Sequence, residues 1–265
     1  MLYKYTTFER LEEILKTGSL HFSSPYQLND FYEGWGITES NGKTALFNAM
    51  RGIWILSLSK TWDSIPMWSH YANNNNGVCI GFDEKIKFRI INKYKKLDTQ
   101  EVKYACKVPM LSSEVLDSNE LKNFWSTKGK SWEYEHEVRI LFNVFGGSDL
   151  NDYIKRNHMN LASMGSSPSE SLPSESLPLP NDWLDNDCKE SYHNEFKLGD
   201  LLYYHGGLNI KFKPESLKEI IFGLKVSKDS IDEIRSKIQK SQQYKIQLFQ
   251  IKALNGVYEF DRIDL

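Results

Sequence analysis

The apolar positions of this chain fall into many short runs and a few stretches of helical spacing. Leu2–Tyr5 reads as a strand. From about Thr7 to Lys16, Phe8, Leu11, Ile14 and Leu15 form an apolar face at helical spacing, with Thr7 placed to cap the helix and Gly18 to end it. Ser19–Ser24 predicts a strand, followed by a turn over Pro25–Asp30 and a helix over Gly42–Arg51. Gly52–Ser59 predicts a strand too apolar for an exposed edge. Ser64–Ala72 reads as a short helix that Ser64 could cap, with Pro66 near its first turn. Four asparagines and Gly77 then form a loop before a strand at Val78–Phe82.

Further strands are expected at Glu101–Tyr104 and, as one long element, at Trp132–Phe145, with a helix over Leu121–Trp125 between them. Gly146 and Gly147 break the long strand. The last third predicts strands at Leu201–His205, Leu208–Phe212 and Leu217–Gly223. A helix over Ser230–Ser241 carries Ile231, Ile234 and Ile238 on one face, and a strand over Lys245–Lys252 ends the order. Many strands with few, scattered helices give an α+β class: a mixed, largely antiparallel β-sheet core, either continuous or split, with peripheral helices. A single domain over residues 1–265 is expected. Residues 163–180 stand apart, because the pentad PSESL occurs twice and Ser and Pro dominate. They predict a flexible insertion with little to bury.

Composition changes this picture only slightly. Of 265 residues, 40% are apolar and 26% charged, and 14 Tyr, 14 Phe and 7 Trp provide for a sizeable core. A net charge of −2 shows no basic excess that would announce nucleic acid or an anionic membrane. The three cysteines, Cys79, Cys106 and Cys188, are far apart and form no CxxC pair, which argues against a zinc ribbon or disulfide framework and for a reduced, cytoplasmic compartment. The first residues lack a signal peptide's basic start and apolar run, and no segment is long and apolar enough to span a membrane.

Three segments carry candidate chemistry. In Trp132–Leu141, strand alternation would put Glu133, Glu135, Glu137 and Arg139 on one face. Three carboxylates side by side repel one another, and one Arg offsets only part of that. Such a face is either a solvated outer edge or a catalytic or ligand-binding pair of carboxylates whose ionisation Arg139 sets. In Met67–Ala72, Trp68 and Tyr71 are either core or a stacking platform for a planar ligand, with His70 as a donor to it. The third joins Leu2–Thr7 to Ser23–Glu33, where Asn29, Asp30 and Glu33 either make an ordinary turn or help shape a cleft. Tyr3, His70, Glu135, Glu137 and Arg139 are the expected walls of that cleft. No metal-ligand spacing, phosphate loop or nucleophile elbow is present, and no metal is expected.

Taken in order, LYKY, SSPYQLNDFYE, MWSHYANNNNGVCIGF, WEYEHEVRI and LKEIIFG resemble the bacterial family known as domain of unknown function 2971, over residues 2 to about 225. Two features depart from it: Phe31 stands where the family usually has Pro, and the PSESL insertion is foreign to it. More distantly, the opening strand, the Ile-Leu-x-x-Gly helix end and the late Glu-x-Glu are similar to ADP-ribosyltransferase-like proteins, which bind NAD in a split β-sheet cleft. That resemblance implies Glu137 as the catalytic carboxylate, with Glu135 second and His70 assisting. It implies that Tyr3, Lys4, Tyr5 or Thr6 touch NAD, that Tyr71 or Trp68 stacks on it, and that Arg139 or Lys4 pairs with its pyrophosphate.

Three function classes follow. One is an NAD-consuming enzyme, transferring ADP-ribose to a protein or nucleic-acid acceptor or to water. The second is a nucleotide-binding or sensing module without turnover, in a phage-defence or toxin system. The third is a metal-dependent nuclease, for which Glu101-Val-Lys103 and Glu195-Phe-Lys197 offer half-motifs. The acceptor and the oligomeric state leave no trace in the sequence.

Overall fold

The computed structural model describes residues 1–30, 32–33, 37–38, 53–89, 97–111, 118–143, 207–241 and 243–265. The expected helix at 42–51, the insertion at 163–180 and the strand at 201–205 lie outside these residues.

The first strand, β1 (Leu2–Thr6), leads into helix α1 (Phe8–Thr17). Thr7 Oγ1 accepts from the Arg10 N–H, and Gly18 ends the helix in the left-handed conformation at φ 64°, its N–H on the Ile14 carbonyl. Strand β2 (Ser19–Ser23) and the short β3 (Ile37–Thr38) precede β4 (Ile53–Ser59), then helix α2 (Ile65–His70) and β5 (Val78–Phe82). Asn73, Asn74 and Asn75 turn the chain at positive φ, which asparagine tolerates better than most residues. Gly77 is required next, because a Cβ there would stand 2.4 Å from the Thr6 carbonyl oxygen.

Beyond them lie β6 (Leu97–Glu101), β7 (Lys103–Ala105), β8 (Met110–Leu111), helix α3 (Ser118–Trp125), β9 (Thr127–Gly129) and β10 (Glu137–Asn143). Strands β11 (Gly207–Lys211) and β12 (Leu217–Phe222), helix α4 (Lys228–Ser241), β13 (Gln247–Ala253) and β14 (Phe260–Asp264) complete the described elements.

The main sheet has ten strands, ordered β11-β2-β4-β1-β5-β12-β13-β14, with β10 against β4 and β6 against β10. Its pairs are antiparallel except β12 with β13, which α4 connects. The fold is therefore α+β with a largely antiparallel sheet. Strand alternation gives it two buried faces. Leu2, Trp54, Leu56, Val138, Ile140 and Phe142 face one core beneath Leu11 and Ile14 of α1 and Ile231 and Ile234 of α4. Tyr3, Tyr5, Cys79, Ile221, Phe249 and Ile251 face a second core with Met67 and Trp68 of α2.

Three expected elements differ. Trp132–Phe145 is not one strand: Lys130–Glu135 form a 3₁₀ turn, His136 takes φ 44°, and β10 starts at Glu137. A residue at positive φ cannot continue a ladder, and its carbonyl accepts from the Lys60 N–H instead (2.9 Å). Nor is β10 an edge, since β4 and β6 flank it. The stretch Glu101–Tyr104 divides at Val102, so that β6 pairs with β10 and β7 with β9. Finally, order does not end at Lys252, because β14 pairs antiparallel with β13.

One feature of the sheet positions the site. Strand β10 pairs with β4 along the whole length of one edge. On the other edge β4 meets β2 at Ser23–Ile55 and β1 at Tyr3–Ser59. The sheet forks there, and Ser57 lies at the crotch of the fork.

Candidate functional site

A cleft of about 250 Å³ opens at this fork. Tyr3, Lys4 and Tyr5 of β1, and Ser57, Leu58 and Ser59 of β4, form its sheet side. Gln27, Leu28, Asn29 and Glu33 close one flank, Met67 and Tyr71 another, and Lys128, Glu135 and Glu137 complete it. The local reasons are specific. The 3₁₀ turn carries Glu135 inward while leaving Glu133 exposed. Ser59 Oγ donates to the Glu135 carbonyl (2.6 Å) and Ser64 Oγ to that of Tyr134 (3.1 Å), so two hydroxyls pin the turn to the sheet.

The carboxylates are held by buried cations. Arg139 grips Glu137 with two bonds of 2.8 Å, Nε to Oε1 and Nη2 to Oε2. It also donates to Glu33 and, through Nη1, to the Trp125 carbonyl (2.9 Å). Lys128 Nζ lies 2.6 Å from Glu135 Oε2, 3.3 Å from Glu137 Oε2 and 4.0 Å from Glu33 Oε1. Tyr71 donates to Glu135 Oε1 (2.6 Å) and accepts from Asn29 Nδ2 (3.1 Å). Lys4 Nζ donates to the Ser57 carbonyl (3.0 Å).

These contacts set ionisation. Burial pushes Glu137 up, but Arg139 and then Lys128 outweigh it and hold the carboxyl at about 2. Glu137 is thus a fixed anion at neutral pH. Burial raises Glu33 above the usual carboxylate range against the pull of Arg139 and Lys128. Burial works against the Lys128 ammonium, yet Glu137, Glu33 and Glu135 together raise its pKa. Lys4 goes the other way, because burial lowers it more than Glu137 and Glu135 raise it. Burial and then Glu135 raise the Tyr71 phenol.

Of the residues singled out in the sequence, Tyr3, Lys4, Tyr5, Asn29, Glu33, Tyr71, Glu135 and Glu137 line the cleft. Arg139 lies behind the carboxylates, and it lines a neighbouring cavity together with Asp30. Trp68 is in the second core, its Nε1 donating to the Trp62 carbonyl (2.7 Å). His70 is exposed, its ring 6.2 Å from that of Tyr134. Thr6 is not among the lining residues. Glu101 pairs with Lys60 at the surface, outside the cleft, and Glu195 lies outside the described residues.

Lys128 went unrecognised in the sequence. It sits in a polar run, Ser-Thr-Lys-Gly-Lys-Ser, that looks like a solvated loop. The available signal was charge balance, since three carboxylates beside one Arg call for another cation. Lys128 and Arg139 take most of the lone pairs of Glu137, while Glu135 accepts only one bond from Lys128. Among the described residues no group of three or more His, Cys, Asp or Glu is placed to hold a metal, and no helix is long and apolar enough to cross a membrane.

Residues 67–140 match the model of a family described as Protein of unknown function (DUF2971), which supports the resemblance read from the motifs. The match runs from the helix under the cleft to the ion pairs on its floor. No curated protein and no solved structure matches the chain.

Proposed function

We propose that this cleft binds the nicotinamide end of NAD and breaks the bond between nicotinamide and ribose, the step shared by ADP-ribosyl transfer and NAD hydrolysis. One observation supports this above the others: a buried carboxylate pair, Glu135 and Glu137, on the floor of a forked sheet, with Glu137 ionised far below neutral pH.

As the C1′–N bond breaks, its electron pair leaves with nicotinamide, and positive charge grows on ribose C1′ and the ring oxygen. A carboxylate fixed in advance stabilises that charge more than it stabilises the ground state. The lone pair of water or of an acceptor group then bonds to C1′, and the nucleophile loses its proton. Glu137 has no proton to give near pH 7, so its part is electrostatic. The two carboxylates differ in spare capacity. Glu137 accepts from Arg139 twice and from Lys128, whereas Glu135 accepts once from Tyr71 and once from Lys128. Of about four lone-pair sites on each, Glu135 keeps more for a substrate. Glu135 therefore faces the developing charge, and Glu137 holds Lys128 and Arg139 in place beside it.

Size fits a part of the dinucleotide. The cleft holds about 250 Å³. It falls below the roughly 300–1,000 Å³ of pockets that enclose a whole ligand, so the rest of the molecule projects outward. Turnover of NAD by the protein, lost in Glu135→Gln and Glu137→Gln, is the test.

A second proposal is binding without turnover, favoured by the charge balance of the cluster. Glu33, Glu135 and Glu137 are matched by Lys4, Lys128 and Arg139, which leaves little net field when all are ionised. A nucleotide that binds and leaves unchanged would select this alternative.

A further inference from the structure

Among the described residues nothing pairs with the outer edge of β14, the last strand of the main sheet. Its register with β13 runs unbroken from Phe249–Asp264 to Ala253–Phe260. The Leu265 N–H donates to the Leu248 carbonyl (3.0 Å), and the Leu254 N–H to that of Glu259 (3.1 Å). Odd-numbered residues therefore bond to β13, and the backbone groups of Phe260, Arg262 and Asp264 point outward. The Arg262 N–H bears this out: its acceptor is Asp261 Oδ1 (2.8 Å).

Natural edges are kept from pairing by Pro, Lys, bulges or inward-pointing charges. Strand β14 has no Pro, Lys or bulge. Its inward charge, Arg262, is already matched by Glu219 (2.6 Å). Exposed apolar side chains gather here as well: Leu254, Val257, Tyr258, Ile263 at 47% and Leu265.

Outward backbone groups are satisfied by another strand, and a second β14 can supply one. Hydrogen-bonded pairs must join outward-facing residues on both copies. The antiparallel registers that overlap most of the strand then centre on Asp261, Arg262 or Ile263. Centring on Asp261 sets two aspartates face to face, and centring on Arg262 does the same with two arginines. Like charges directly opposite are destabilising, whereas opposite charges attract. Centring on Ile263 sets the two Ile263 side chains together and each Arg262 against an Asp264, with no like charges opposed.

We propose that β14 is a dimerisation edge, at which two copies of this chain pair antiparallel across a two-fold axis at Ile263 and extend the sheet through both. Arg262 and the partner's Asp264 exchange both backbone hydrogen bonds, and the partner's carbonyl displaces Asp261 from the Arg262 N–H. The contact is isologous, so it closes at two copies. It is small, which places it among the weak, transient interfaces. None of these residues lines the cleft, so the dimer does not rest on the NAD proposal.

Sedimentation of the full chain over a concentration series measures the association, and disulfide linkage reads its register. Cα atoms of a non-hydrogen-bonded antiparallel pair lie about 4.5 Å apart, within the span of a disulfide. Ile263→Cys is therefore expected to link two chains on mild oxidation, with the joined peptide identified by mass spectrometry. Asp261→Cys faces the partner's Leu265 and is expected not to link to itself. Asp264→Lys, at an exposed position, sets two cations opposite each other and is expected to weaken dimerisation by about tenfold or more. A monomer at every concentration, a dimer in which Ile263→Cys does not link, or dimerisation unchanged in Asp264→Lys overturns the proposal.

Discussion

Lys4 donates its ammonium to the carbonyl of Ser57 at 3.0 Å, at the point where β1 and β2 part from β4. The bond does what a ladder hydrogen bond would do in an unforked sheet: it satisfies a backbone acceptor at the gap. It also sets a cation beside Glu137 and Glu135 in the same cleft.

Lys4→Met should therefore cost stability by leaving that carbonyl without its partner. The expected loss is about 1–3 kcal/mol, read as a lower urea midpoint. An unchanged midpoint would mean that water or a neighbour satisfies Ser57 equally well.

Arg139 is 1% exposed and binds two carboxylates. Arg139→Leu leaves Glu137 and Glu33 as buried charges without their main counterion, which should destabilise the protein by about 3–5 kcal/mol. Chemical denaturation measures this directly. A loss below about 1 kcal/mol, the range of surface pairs, would place the pair in water.

The chain announced much of this arrangement, and the reason it did not announce all of it is local. Residues at regular spacing, such as Leu11 and Ile14 of α1, bury where their period places them. Glu135 and Glu137 also meet as foreseen, but by another route: a 3₁₀ turn and His136 at φ 44°, rather than strand alternation. Alternating Trp132, Tyr134 and His136 imitate a strand, and no single residue type there marks the turn. A split sheet was implied by the resemblance, but no residue marked where it would fork, because that depends on which residues of β4 meet β1 and β2, a long-range matter of register. Trp68 and Tyr71 could not be told apart by type or by spacing, since residues three apart share a helix face, and Tyr71 reaches the cleft from the C-cap just past the end of α2.

The acid side of the stability profile should carry the mark of Glu137. Its folded pKa, about 2, lies below the ordinary 4.5, so its contribution is fully present above pH 4.5 and is lost as pH falls towards 2. At about 1.36 kcal/mol per pKa unit, the move from 4.5 to about 2 is worth on the order of 3 kcal/mol. The stability difference between wild type and Glu137→Gln should shrink over that window. Glu33, whose folded pKa is raised, works oppositely: its contribution is present at low pH and fades as pH rises through its folded value. A wild-type-minus-Gln difference that stays flat from pH 5 to about 2 would contradict the Arg139 and Lys128 pairing of Glu137.

Tyr71→Phe removes the donor to Glu135 Oε1 while keeping the ring in place. A hydrogen bond to a charged group contributes about 1.5–3 kcal/mol, so NAD turnover should drop by at least tenfold, with the fold intact by circular dichroism. Full turnover in Tyr71→Phe would show that Glu135 needs no such positioning.

The most direct test of the central claim is loss of NAD on incubation with the purified wild type, Glu135→Gln and Glu137→Gln proteins, with liberated nicotinamide as the readout. The proposed chemistry predicts release by the wild type alone, with Glu135→Gln impaired at least as severely as Glu137→Gln. Nicotinamide release undiminished in both folded variants, or none from the wild type with or without lysate as acceptor, would contradict it.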